Sequence, residues 1–230
     1  MRLPFDIEIR EQDAATLISL LFGLLALLFL AENTAANLGI AAAFILISVI
    51  ADGADGYLAR TLGQGRLGFE LDSLADFASF GVVASVLAYY AARGGIENRG
   101  LFFVLFIISF LYAASSIVRL ARYNITAADN VFYGLPVTAG GLFIALYVLA
   151  GLPAVVLPII VLILSGLMVS DLEYQKIRNL ATLLVVSLLL IVTLILFAIG
   201  ISYWVPALIL LVLLIIYIFN PLYRRALRER

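Results

Sequence analysis

Long apolar runs separated by short polar breaks dominate the pattern of this chain. Residues 14–31, 181–200 and 203–220 carry no charge, and each is near the ~20 residues that a helix needs to cross a bilayer. Eight such segments can be drawn, over 14–31, 36–61, 68–93, 100–122, 133–150, 153–170, 180–200 and 203–220. Gly151-Leu152-Pro153 and Gly200-Ile201-Ser202 mark tight turns between neighbouring helices. No internal repeat interrupts the series. The expected fold is all-α, a polytopic transmembrane helical bundle of about eight spans. A short N-terminal segment (1–13) precedes a membrane domain (14–220), and a basic tail (221–230) follows it. Residues 1–13 mix charges and lack a small-residue cleavage site behind an apolar core, so a cleaved signal peptide is not expected there.

Composition agrees with a bilayer as solvent. The chain is 65% hydrophobic and 13% charged, with a mean hydropathy of +1.17, whereas soluble domains are about 45–50% apolar and about 25% charged. Twelve of the 14 Lys and Arg residues fall at one set of span ends, and only Arg93 and Arg99 fall at the other. The cytoplasmic excess of basic residues then places both termini, and the 60–68 loop, in the cytoplasm. The expected location is the cell (cytoplasmic) membrane. A net charge of -1 gives no basic bulk for nucleic acid. With neither Cys nor His in the chain, thiolate and imidazole chemistry is excluded. Any metal must be hard and carboxylate-bound, and any general base must be a carboxylate, Lys or Tyr.

Four acids break the apolar pattern. Asp52, Asp55, Gly56 and Ala59 share one helical face, and Asp72 and Asp76 lie one turn apart on the next span. If helical throughout, residues 36–61 would measure about 39 Å, more than the ~30 Å of hydrocarbon. The end carrying Asp52 and Asp55 therefore reaches the cytoplasmic interface, beside Asp72 and Asp76 across a short loop. An aspartate at mid-membrane costs about 2.5–3.5 kcal/mol on insertion scales. Two divalent ions roughly 3.5–4 Å apart would neutralise the cluster and would also bind substrate phosphates. Gly53, Ala54, Gly56 and Ala59 strip bulk from the helix face, either for a phosphorylated ligand or for a plain helix–helix seam. Arg60 could meet a phosphate at the rim.

The run from Asp52 through Asp55, Gly56, Ala59 and Arg60, then Gly68, Asp72 and Asp76, resembles the D-x-x-D-G-x-x-A-R…G-x-x-x-D-x-x-x-D signature of the CDP-alcohol phosphotransferases. The resemblance implies an integral membrane enzyme, usually a homodimer, that uses Mg²⁺ or Mn²⁺. It displaces CMP from a CDP-linked lipid with an alcohol acceptor. It makes Asp52, Asp55 and Asp72 metal ligands, and Asp76 both a ligand and the general base. It places Gly56, Ala59, Arg60 and Gly68 around the CDP group.

The stretch from Glu70 to Gly81 is similar to the ELDSLAD-x-x-SFG of the integral-membrane phosphatidylserine synthases. Arg119-Leu-Ala-Arg122-Tyr123-Asn124, Gly134-Leu-Pro136 and Leu167-Met-Val-Ser170 resemble further segments of that branch, and archaetidylserine synthases look at least as close. L-serine is the acceptor this likeness implies. Glycerol 3-phosphate and inositol phosphate are the alternatives within the family, and a carboxylate-based cation transporter is the alternative outside it. Serine needs a cation for its carboxylate. Arg119 and Arg122 stand on the right side for it, one to bind the serine carboxylate and the other a lipid or CDP phosphate, with Asn124 as a further hydrogen-bonding group, unless the arginines are snorkelling anchors. Glu70 points about 200° away from Asp72 around a helix, and pairing with an arginine is expected of it. Thr16 and Ser19, at the cytoplasmic start of the first span, are candidate nucleotide contacts.

Overall fold

A computed structural model describes residues 11–32, 34–62, 66–94, 98–126, 132–174 and 180–228. The chain folds as a helical membrane bundle. Its helices are α1 (Glu11–Leu30), α2 (Ala35–Leu62), α3 (Arg66–Asp76), α4 (Ala84–Arg93), α5 (Arg99–Thr126), α6 (Val137–Leu149), α7 (Leu157–Val169), α8 (Leu180–Ala198) and α9 (Trp204–Arg228). A π-helical stretch, Phe77–Val83, joins α3 to α4, so that one continuous span runs from Leu67 to Arg93.

Among the described residues, six helices are long and apolar enough to cross a membrane, and two apolar helical stretches, Val137–Leu149 and Ala154–Val169, are shorter. The fifth and sixth expected spans correspond to these two. α6 has 13 residues, or about 20 Å at about 1.5 Å per residue, less than the hydrocarbon thickness. It is nevertheless the centre of the bundle, with Ile144, Ala145 and Leu146 fully buried. A helix apolar on all sides suits a position surrounded by protein. α5 and α8 take the opposite role. Phe103, Phe106 and Phe110 of α5 and Leu184 and Leu188 of α8 are exposed, as expected where lipid is the solvent.

Among membrane helices hydrophobic burial supplies little drive, so close van der Waals packing of small residues and interhelical hydrogen bonds hold them together. α1 lies against α2 through Phe22 and Phe29, whose rings stand 5.9 and 5.4 Å from that of Phe44. α2 has 28 residues, about 42 Å of helix at about 1.5 Å per residue, so its Asp52 end extends past what hydrocarbon alone requires. α9 continues through Pro221 to Arg228, beyond the expected end of its span at residue 220.

A two-residue antiparallel pairing links the segments around α6 and α7, with Phe132 opposite Tyr174 and Tyr133 opposite Glu173. The expected fifth span, 133–150, takes in Tyr133 of this strand, whereas the helix begins at Val137. The turn that follows needs glycine. Gly134 has φ +78°, and its N–H donates to Leu172 O at 2.9 Å while Leu135 N–H donates to Leu167 O at 3.0 Å. Tyr174 is buried beneath it and donates its hydroxyl to Ile218 O at 3.1 Å. Burial pushes that hydroxyl up to about 12, so it remains a proton donor at any physiological pH.

Candidate metal and phosphate site

The carboxylates of Asp52, Asp72 and Asp76 come together with one oxygen of each within 4.8 Å of the others. Asp52 belongs to the far part of α2, and Asp72 and Asp76 are one turn apart on α3. All three are partly buried. At 4 Å, two like charges repel by about 4 kcal/mol for an effective dielectric of about 20. A cation held among the three carboxylates would relieve that repulsion. Their all-oxygen donor set fits a hard divalent ion, and the absence of His and Cys leaves no softer ligand.

The Asp55 backbone continues α2 one turn beyond Asp52, while its side chain, like those of Ala59 and Arg60, lies outside the described residues. Gly53, Ala54 and Gly56 are exposed. A Cβ built on Gly53 or Gly56 would meet nothing within 4 Å. Among the described residues nothing packs against Gly53 or Gly56, which leaves an open face beside Asp52. Gly68 is buried near the start of α3.

α3 is tied to α5 by the motif that follows the fourth span. Ser73 Oγ donates to Asn124 Oδ1 at 3.0 Å, and Asn124 Nδ2 donates to Glu70 Oε2 at 3.5 Å. The rings of Phe69 and Tyr123 stand 5.9 Å apart. Asn124 thus uses both ends of its amide to tie the aspartate-bearing helix to α5. Glu70 accepts this amide; the side chains of Arg60 and Arg66 lie outside the described residues.

The two arginines of the motif part company. Arg119 is buried, at 5% exposure, with its guanidinium carbon 5.3 Å from the Tyr123 ring centroid. It lies within electrostatic reach of Asp76 and of Tyr217 on α9. Arg122 turns away to α7, where Nη1 donates to Asp171 Oδ1 at 2.9 Å and Nη2 to Ser170 O at 2.8 Å. It is a strut between helix ends. Arg119 is near enough to Asp76 to act on its charge.

Thr16 and Ser19 are buried on α1. The Ser19 hydroxyl is 2.8 Å from that of Ser48, Ser48 Oγ donates to Ser19 O at 2.8 Å, and Ser79 Oγ donates to the same carbonyl at 3.4 Å. The hydroxyl expected at the nucleotide is used at the junction of α1, α2 and the π-helical stretch. Sequence reasoning missed two residues around Arg119. Tyr123 lay within the quoted motif, one turn on from Arg119. Tyr217 had no local signal, because its approach depends on where α9 packs. Its ring lies 5.7 Å from that of Tyr174.

Residues 13–170 match the family model described as CDP-alcohol phosphatidyltransferase. A CDP-diacylglycerol--serine O-phosphatidyltransferase of Methanocaldococcus jannaschii is 30% identical over 168 residues, 73% of this chain and 74% of that protein. One of Mycobacterium tuberculosis is 35% identical over 137 residues, 56% of this chain and 45% of the relative. An archaetidylserine synthase of Methanothermobacter thermautotrophicus is 31% identical over 146 residues, 61% of this chain and 60% of the relative.

Proposed function

The chain belongs to the CDP-alcohol phosphatidyltransferase family, and from that premise we propose that it transfers a phosphatidyl-type group from a CDP-linked lipid to the hydroxyl of L-serine, releasing CMP. The observation that carries this reading is the convergence of Asp52, Asp72 and Asp76 within 4.8 Å, beside the open face of Gly53 and Gly56. The names of the relatives support serine as the acceptor. Family membership sets aside the transporter alternative.

Asp52, Asp72 and Asp76, with Asp55 one turn along α2, hold two divalent cations, Mg²⁺ or Mn²⁺. When bound, the ions supply positive charge that binds the diphosphate and stabilises the leaving CMP. The exposed face around Gly56 and Ala59 lets the CDP group approach the α2 backbone, with Gly68 near the start of α3 on its border. Arg60 meets a phosphate at the rim. Arg119 binds the serine carboxylate, buried between Tyr123 and the α9 side of the site.

Asp76 accepts the serine hydroxyl proton as that oxygen attacks the lipid-side phosphorus. A P–O bond to serine forms, and the bond to the bridging oxygen breaks, leaving with CMP. A carboxylate is a weak base at neutral pH, but it suffices when the proton moves as the bond forms, as in kinases. The excess of Lys and Arg at this end of the bundle supports a cytoplasm-facing site, cytoplasmic termini and residence in the cell membrane. Homodimer assembly is part of the same proposal.

The test is transfer by purified protein from a CDP-linked lipid to labelled serine, glycerol 3-phosphate or inositol phosphate, with ester- and ether-linked donors side by side. Serine incorporation with CMP release is expected. Incorporation of glycerol 3-phosphate without serine would overturn the acceptor assignment.

A further inference from the structure

We propose that Tyr112 is a positioning residue for Asp76, acting through the π-helical stretch at 77–83. This inference rests on the reading of Asp52, Asp72 and Asp76 as a metal site. Asp76 is the last residue of α3, and the π-helix begins at the next position. A π turn holds more backbone than an α turn, so it changes the phase of the helix beyond it. Such turns are rare and recur at functional sites. Here the change of phase separates two demands on one span. Asp72 and Asp76 face Asp52, while Phe80, Val83 and Leu87 fill the core.

The stretch is held from outside. Tyr112 of α5 is completely buried and donates its hydroxyl to Phe80 O at 3.2 Å. α6 closes the other side. A Cβ on Gly140 would lie 2.7 Å from the Tyr112 hydroxyl oxygen, and one on Gly141 would lie 3.1 Å from the Phe80 Cα. Two glycines thus let α6 press the tyrosine and the π-helical backbone together. The hydroxyl gives the Phe80 carbonyl, in the middle of the π-helical stretch, a donor from a neighbouring helix. Without it the stretch is free to tighten toward α geometry, and the carboxylates on α3 rotate relative to Asp52.

Tyr112→Phe keeps the ring and removes only the donor. Tyr147→Phe is the control, because the Tyr147 hydroxyl also donates to a backbone carbonyl, Pro153 O at 2.8 Å, in the turn between α6 and α7. Mn²⁺ binding to each purified variant is read by electron paramagnetic resonance, and steady-state kinetics are measured with a CDP-linked lipid and serine. For Tyr112→Phe, Mn²⁺ affinity and kcat are each expected to fall about tenfold or more, with KM for serine within about twofold of wild type. Tyr147→Phe should match wild type. Gly140→Ala places a methyl group against the Tyr112 hydroxyl as well as the end of the Met168 side chain, and should likewise lower Mn²⁺ affinity and kcat. Unchanged Mn²⁺ affinity and kcat in Tyr112→Phe would overturn the inference alone, as would equal losses in both tyrosine variants. Absence of Mn²⁺ binding by wild type would instead overturn the metal reading beneath it.

Discussion

Arg122 and Asp171 form an ion pair, Nη1 to Oδ1 at 2.9 Å, that joins the end of α5 to the end of α7. Asp171 is largely exposed, its side chain at 88%, so the pair itself contributes at most about 1 kcal/mol. The bond from Arg122 to the Ser170 carbonyl adds about 1.5–3 kcal/mol, as charged hydrogen bonds do. Arg122→Ala should lower the melting temperature by several degrees with little change in KM for serine. Arg119→Ala should do the reverse, raising KM for serine at least about tenfold, which is about 1.4 kcal/mol of binding. Thermal melts and serine titrations of both variants separate the two roles. An equal rise in KM in both would refute the division.

Asp76→Asn preserves shape but cannot take a proton. Turnover should fall by about 10² to 10⁴, the usual contribution of general base catalysis, while the CDP-linked lipid still binds. Purified Asp76→Asn with near-normal turnover would remove the assigned role.

Chelation with EDTA should abolish transfer, and Mg²⁺ or Mn²⁺ should restore it. Asp52→Asn reduces the negative charge of a three-carboxylate cluster and should raise the half-saturating metal concentration at least about tenfold. A metal-independent wild-type rate would exclude the proposed site.

Gly56 stands on the open face of α2, where alanine fits without a clash and gains about 1 kcal/mol in helix propensity. Gly56→Ala should therefore melt no lower than wild type. Its KM for the CDP-linked lipid should nevertheless rise several-fold, because the methyl group occupies the approach to the backbone. A fall in stability with unchanged KM would mean that the glycine serves packing.

The long apolar elements were legible in the sequence because both their lengths and their breaks are coded locally. The ends of α1, α2 and α5 fall within a few residues of the expected ones. The aspartates were legible because charge in an apolar run is conspicuous, and their spacing along two helices puts them on facing surfaces. The π-helical stretch was not, since seven residues are too few for a change of period to stand out, and its stabilising donor comes from Tyr112 on another helix. The strand at Phe132–Tyr133 was hidden for a related reason. An apolar residue such as Tyr133 beside a helix reads as more helix until a partner strand is known. Arg119 and Arg122 looked equivalent by spacing. Only their burial and their partners on α7 and α9 distinguish them.

The length of α2 has a consequence for how the two kinds of substrate meet. At 28 residues the helix is longer than the hydrocarbon needs, and the proposed reading puts its Asp52 turn where the leaflet gives way to water. On the proposed reading, the lipid donor arrives by lateral diffusion in two dimensions and its tails never leave the leaflet. Serine and CMP exchange with the bulk in three. The rate at which this protein works is then set by surface concentration for one substrate and by volume concentration for the other, and diluting the donor with inert lipid at constant total donor should slow it.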